Sequence, residues 1–235
     1  MVYQRPLIEG VLVKRYKRFL ADIKINKTEN VVTAHTSNTG AMLGCSQPGS
    51  KTWMLNTLNS NRKYPYSWEL VQTHNGVFVG INTLLANKLV LEGIENQAII
   101  ELQGYKTIKK EIPYGNENSR IDFLLHTENQ PDCFLEVKSV TLVENSIAFF
   151  PDAKSQRGLK HLRELIENVK NGNRSVIFFC IQRNDAQSFS PARHIHPEYA
   201  DALQIAAKSG VEVLSYICDV SQSSIEITKS IPVTL

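Results

Sequence analysis

The chain has little of several things that would have decided its class at once. Its 235 residues hold only four cysteines, Cys45, Cys133, Cys180 and Cys218, far apart and with no C-x-x-C pair. That excludes a zinc ribbon by spacing and fits reduced, buried thiols rather than a disulfide framework. No apolar run approaches the ~20 residues that a membrane-spanning helix needs. The opening Met-Val-Tyr-Gln-Arg-Pro has no apolar core of the kind a secretory signal requires, so no signal peptide is expected. Internal repeats and low-complexity segments are absent too. Charge of one sign is also scarce: 26 basic residues against 23 acidic ones leave +3. Any affinity for nucleic acid must therefore come from clustering, not from bulk charge.

What is present is organised in two halves. Up to about residue 80, short apolar segments alternate with turn clusters. The segments are Val11–Val13, Phe19–Ile25, Val31–Ala34, Thr52–Leu55, Ser67–Gln72 and Gly76–Gly80, with turns such as Gln47-Pro48-Gly49 between them. That spacing predicts a small closed β-barrel. Asn38-Thr39-Gly40 reads as a tight turn in which Gly40 supplies a positive φ. A helix over about 84–96 opens the second half, so the boundary falls near Thr83, giving domains 1–83 and 84–235. There, strands alternate with helices predicted near 155–169 and 197–208. Arg174–Ile181 is a near-continuous apolar strand, the pattern of a strand covered on both faces. The expected architecture is a two-domain α/β (α+β) chain, a barrel followed by a mixed sheet flanked by helices.

The chemistry concentrates in Arg120-Ile-Asp122-Phe-Leu-Leu125 and Cys133-Phe-Leu-Glu136-Val-Lys138-Ser-Val140. A turn-rich link over 126–132 can fold these into a hairpin, and Asp132 is best read as part of that turn. Strand alternation puts Glu136 and Lys138 on one face and Leu135 and Val137 on the other. Asp122 and Glu136 could then share a hollow with Lys138 beside them. Two carboxylates can hold Mg²⁺ or Mn²⁺ against a phosphate while the lysine orients a water. The plain alternative is a solvated Glu–Lys pair on a strand edge. Charges that interrupt apolar strands cost several kcal/mol unless paired or metal-bound, which favours the first reading.

Basic residues gather in three places. Lys14-Arg15-Tyr-Lys17-Arg18-Phe19 and Arg62-Lys63-Tyr64 combine cations with aromatics in the presumed barrel, the means by which barrel surfaces grip single strands. Lys154, Arg157, Lys160 and His161 lie around the helix after the Glu-x-Lys strand. His194-Ile-His196 could in principle bind a metal, but Pro191 and Pro197 make it a loop.

Ordered blocks along nearly the whole chain resemble the sugar fermentation stimulation protein family, SfsA. They include Arg15-Tyr-Lys-Arg-Phe-Leu-Ala-Asp22, Asn38-Thr-Gly-Ala-Met42, Arg62-Lys-Tyr-Pro65 and Ser119-Arg-Ile-Asp-Phe123. Glu136-Val-Lys-Ser-Val-Thr141, Phe150-Pro-Asp-Ala153, Arg157-Gly158, Lys160-His-Leu162 and Phe189-Ser-Pro-Ala-Arg-His194 follow. Lys154-Ser155 departs from the pattern, where a hydrophobic residue and Thr are expected. The resemblance implies a cytoplasmic bacterial protein that binds DNA without marked sequence preference and is linked by name to sugar (maltose) use. It also implies an OB-like barrel joined to a PD-(D/E)xK nuclease-like domain, with Asp122, Glu136 and Lys138 as the triad. By analogy with such domains a further carboxylate comes from the preceding helix. Glu92 is the candidate and Glu111 its competitor. Active cleavage of DNA is the alternative to binding alone.

Overall fold

The computed structural model describes residues 1–59, 61–115 and 117–235. The first half forms β1 (Ile8–Tyr16), β2 (Leu20–Ile25), β3 (Val31–His35), β4 (Lys51–Asn56), β5 (Tyr66–Gln72) and β6 (Phe78–Gly80). β1 is long enough to pair with β2 and β4 at once, and its register shifts between Leu12 and Lys14. β3 bridges to β5 through Ala34–Tyr66 and His35–Ser67, closing the ring β1-β2-β3-β5-β4. Leu12, Ile23, Met54, Trp68 and Val79 fill the closed barrel. The Trp68 indole N–H meets the Leu70 carbonyl at 2.9 Å, so its burial leaves no donor unpaired.

The second half continues with α1 (Leu85–Glu95), β7 (Thr107–Tyr114), β8 (Ser119–His126), β9 (Cys133–Val140), β10 (Leu142–Glu144) and β11 (Ile147–Phe150). It ends with α2 (Gln156–Lys170), β12 (Arg174–Ile181), β13 (Ser188–Pro191), α3 (Pro197–Lys208), β14 (Glu212–Val220) and β15 (Ile225–Ser230). The main sheet runs β15-β14-β12-β9-β8-β7, with β12 parallel to β9 and β14 and the other pairs antiparallel. Alternation along β12 shows why it reads as a continuous apolar run. Val176, Phe178 and Cys180 pack with Leu89, Val90 and Ile94 of α1, while Ile177, Phe179 and Ile181 pack with Leu162, Leu165 and Leu203 of α2 and α3. A small sheet, β10-β11-β13, follows the end of β9.

The two halves share packing. Trp53 and Leu70 of the barrel belong to the same apolar cluster as Ile225 and Val220. The Gly80 amide donates to Gln182 O at 2.8 Å. The first residues cross over as well: Val2 bridges to Ser224 and the Tyr3 amide donates to Ser223 O, so they lie with the second half rather than with the barrel.

One turn differs from its reading. The left-handed residue of the 38–42 loop is Met42, at φ 52°, and not Gly40. Gly40 is required by close approach instead: a Cβ there would sit 2.5 Å from Oδ1 of Asp152, whose Oδ2 accepts the Met42 amide at 2.8 Å. Gly40→Ala must displace that carboxylate and its bond. The expected loss is about 1–3 kcal/mol, as for other overpacked contacts, read as a lower urea midpoint. An unchanged midpoint would show that Asp152 swings aside freely.

Candidate functional site

The β8–β9 hairpin forms as the alternation predicts, with Phe123 opposite Leu135 and Leu124 opposite Phe134. Where the ladder ends, the Asp122 side chain replaces a backbone acceptor. Its Oδ2 takes the Val137 amide at 2.7 Å, and its Oδ1 takes the Asn87 side-chain amide of α1 at 2.8 Å. Burial, with the charge of Glu136 adding to it, pushes the Asp122 carboxyl up to about 6 despite those two donors.

Glu136 is only 3% exposed. Its Oε1 accepts from Lys138 Nζ at 2.7 Å and pairs with His161 Nδ1 from α2. Burial alone would raise this carboxyl, but Lys138 and His161 outweigh it and hold it below the ordinary carboxylate range. Arg157 Nε lies 3.2 Å from His161 Nε2. Lys138 Nζ also lies 3.2 Å from His161 Nδ1, so the imidazole sits between Arg157 on one side and Lys138 and Glu136 on the other and props the carboxylate from behind. The other oxygen, Oε2, has no hydrogen-bond partner among the described residues. The buried hydroxyls of Tyr114 and Tyr199 have none either, and burial, then the nearby Glu136 charge, raises both phenols. A buried acceptor left unpaired costs about 1–3 kcal/mol, so Oε2 is placed to be satisfied by water or a cation.

Beside this group lies a cleft of about 340 Å³ between the halves, reached by Asn87, Lys138, Ser139 and Thr141. Arg18 and the 37–40 loop face it from the barrel side, and Phe149 to Ser155 from the other. Ser155 caps α2 by accepting the Gly158 amide at 3.0 Å, so the departure at Lys154-Ser155 keeps the helix start intact.

The remaining sequence candidates fall into groups. Glu92 does not join Asp122. It pairs with the Met1 amino group at 2.8 Å, because five residues past Asn87 it lies on another side of α1. Asn87 occupies the helix position next to Asp122 that the carboxylate was expected to fill. Glu111 is exposed at a left-handed position within β7. His161, at 4% exposure, cannot lie on a phosphate backbone, a correction to its reading as a surface contact. Arg15 points inward as well: its guanidinium donates to Asn38 O, Gly40 O and Ala41 O at 2.8–3.2 Å, and to Arg18 O. It braces the cleft's wall. Arg18 donates to Thr39 O at 2.7 Å but keeps an exposed edge on the cleft.

Lys14 leans over Tyr16 and Lys63 over Tyr64, at 5.5 and 5.6 Å. Lys17, Arg62 and Arg157 are exposed, and Lys160 is half-buried. Burial, then the Arg62 charge, lowers the pKa of His35, whose ring lies 6.0 Å from Phe19. The two basic-aromatic clusters therefore share one end of the barrel. His194 and His196 turn to different partners, Glu144 and the Ser155 amide, and form no pair. Asp132 pairs with His126 at the hairpin turn. All four cysteines are buried and free.

Comparison with known proteins gives the same two halves. Residues 13–81 match the family described as SfsA N-terminal OB domain, and residues 84–224 match the sugar fermentation stimulation protein RE domain. A sugar fermentation stimulation protein homolog of Pseudoalteromonas atlantica is 50% identical over 232 residues, 99% of each chain. A solved structure, Pyrococcus furiosus SfsA in complex with Ca²⁺, superposes with a TM-score of 0.89 at 28% identity, covering 100% of this chain and 98% of that one. No helix among the described residues is long and apolar enough to cross a membrane. Barrel, mixed sheet and sequence thus agree, and the chain belongs to the sugar fermentation stimulation protein family, SfsA.

Proposed function

We infer that this protein binds DNA through its phosphate backbone and cleaves phosphodiester bonds with a divalent cation. The observation that carries this reading is the convergence of Asp122, Glu136 and Lys138 beside one cleft, with Glu136 held from behind by His161. The residues fit a hydrated hard cation. Among the described residues no cluster of three or more His, Cys, Asp or Glu side chains surrounds a common point. Two carboxylates, one with a buried unpartnered oxygen, are what Mg²⁺ or Mn²⁺ uses when it keeps most of its waters. The Pyrococcus furiosus relative was solved in complex with Ca²⁺, which supports a divalent cation for this fold.

Such an ion supplies charge neutralisation at the phosphate and acidifies the attacking water. The chain's own residues do the rest. Asn87 and the Val137 amide fix the direction of Asp122, His161 fixes Glu136, and Lys138 is positioned to orient the water. Arg18, Lys17 and Arg62 neutralise phosphates along the barrel end. The three α-helices among the described residues all pack on sheet faces, so no projecting recognition helix among them supports sequence-specific readout. A role in sugar use would follow indirectly from action on DNA.

The test takes wild type and Asp122→Asn with labelled single- and double-stranded DNA, in Mg²⁺, Mn²⁺ or chelator. Cleavage should need metal and disappear in the variant. Binding on native gels should weaken steeply with KCl, because counterion release drives it. Cleavage that survives both chelator and Asp122→Asn would overturn the metal centre, and affinity flat in salt would overturn backbone binding.

A further inference from the structure

We propose that the cleft beside Lys138 is a binding site for the terminal nucleotide of a single DNA strand, so that the centre works from strand ends. This rests on Asp122, Glu136 and Lys138 being a cleavage centre. Three observations carry it.

The first is size. About 340 Å³ lies in the range of pockets that enclose one small ligand, and so holds one nucleotide rather than a stretch of duplex. The second is that the cleft's walls touch each other. The 38–42 loop of the barrel meets the Phe150–Asp152 segment where the Met42 amide donates to Asp152 and where Gly40 leaves no room for a Cβ. A second tie links Cys45 Sγ to Thr141 O at 3.8 Å. Arg15 holds the same loop by three of its carbonyls, which keeps that wall in place. Walls held together at these points keep the cleft narrow, a shape that suits a strand end better than a duplex laid along it.

The third observation is the chemistry inside. Lys138, Arg18 and Lys154 supply cations for a terminal phosphodiester, while Phe149 and Phe150 border the same space with apolar ring surface. Cation and aromatic ring together are the means by which single strands are held without sequence readout. Ser139, Thr141 and Asn87 leave polar groups for a sugar or base edge.

The experiment compares one single-stranded sequence in linear form and ligated into a circle. Filter binding in Ca²⁺ reads affinity, and incubation in Mn²⁺ reads cleavage. The linear strand should bind roughly tenfold more tightly, the scale of one base stacked on one ring. A 2-aminopurine at the recognised terminus should be quenched on binding, and quenched less in Phe149→Ala. Equal affinity for circle and line, with no terminal quenching, would overturn the proposal. Cleavage of both forms alike that is lost in Asp122→Asn would overturn the end site and leave the metal centre standing. End-selective binding without cleavage in any metal would support the site and overturn the cleavage reading.

Discussion

Lys138→Met should slow metal-dependent DNA cleavage by about 10²–10⁴-fold, the contribution expected of a side chain that positions a proton transfer. The same change should also weaken the fold. Glu136 is 3% exposed and Lys138 12%, and the ammonium is the largest favourable influence on that buried carboxylate. Removing one partner of a buried pair leaves the other charge uncompensated, at a cost of about 3–5 kcal/mol. His161 already pairs with the same Glu136 oxygen in the wild type, so it offers no new contact to replace the lysine. Urea unfolding in chelator measures this loss.

The double variant separates the two roles. Glu136→Gln in the Lys138→Met background removes the stranded charge, so most of the stability should return while cleavage stays absent. Such recovery is the coupling expected of residues in direct contact. If Lys138→Met unfolds at the wild-type midpoint, Glu136 is not ionised in the folded protein and the pairing described above is wrong. If the double variant cleaves, the chemistry lies elsewhere.

The elements that were legible in the sequence are those whose side chains report their own burial. β8 and β9 alternate cleanly, β12 is apolar on both faces, and α3 runs from Pro197 to Lys208 between a proline start and Gly210. β7 gave no such signal. Its Lys109-Lys110-Glu111 and Pro113 resemble a loop, and it forms an edge strand, where charged residues and proline are tolerated. β10, β11 and β13 are three or four residues long and exist through pairing with one another, which no local pattern records.

The site divides in the same way. Asp122, Glu136 and Lys138 announced themselves because charge interrupts apolar strands. Asn87 did not, since a carboxylate was sought in α1 and an amide carries no charge signature. An asparagine inside a helix was the available clue, because that residue prefers caps and turns unless something engages its side chain. His161 and Arg157 stand four apart on α2, a spacing that joins side chains on one helix face. The direction of His161, inward to Glu136, depends on how α2 packs on β9. Arg15 was read with its basic neighbours as a surface group. Apart from Arg18 O, its acceptors are the carbonyls of a loop more than twenty residues away, which no local pattern records.

The second large effect concerns pH in the absence of divalent ions. Asp122 titrates at about 6 in the folded chain, against 3.8 as its ordinary value, because burial and then Glu136 disfavour its charge. A folded pKa above the unfolded one means that the folded state binds the proton more tightly. The resulting stability is fully present below about pH 4 and is lost as pH rises through about 6. The shift corresponds to about 3 kcal/mol. Asp122→Asn replaces the carboxyl with a neutral group that can still accept the Val137 amide. In chelator, the difference in unfolding free energy between variant and wild type should therefore move in the variant's favour by about 2–3 kcal/mol from pH 4 to pH 7.5. Taking the difference cancels carboxyls that do not interact with Asp122, such as Glu69, which burial also raises. Adding Mn²⁺ at pH 7.5 should restore the wild type and leave the variant nearly unmoved, since an ion bound only by the folded state stabilises it by mass action. A difference flat in pH would mean that Asp122 is ionised at no cost. Equal stabilisation of both proteins by Mn²⁺ would place the ion away from Asp122, and the cleavage centre with it.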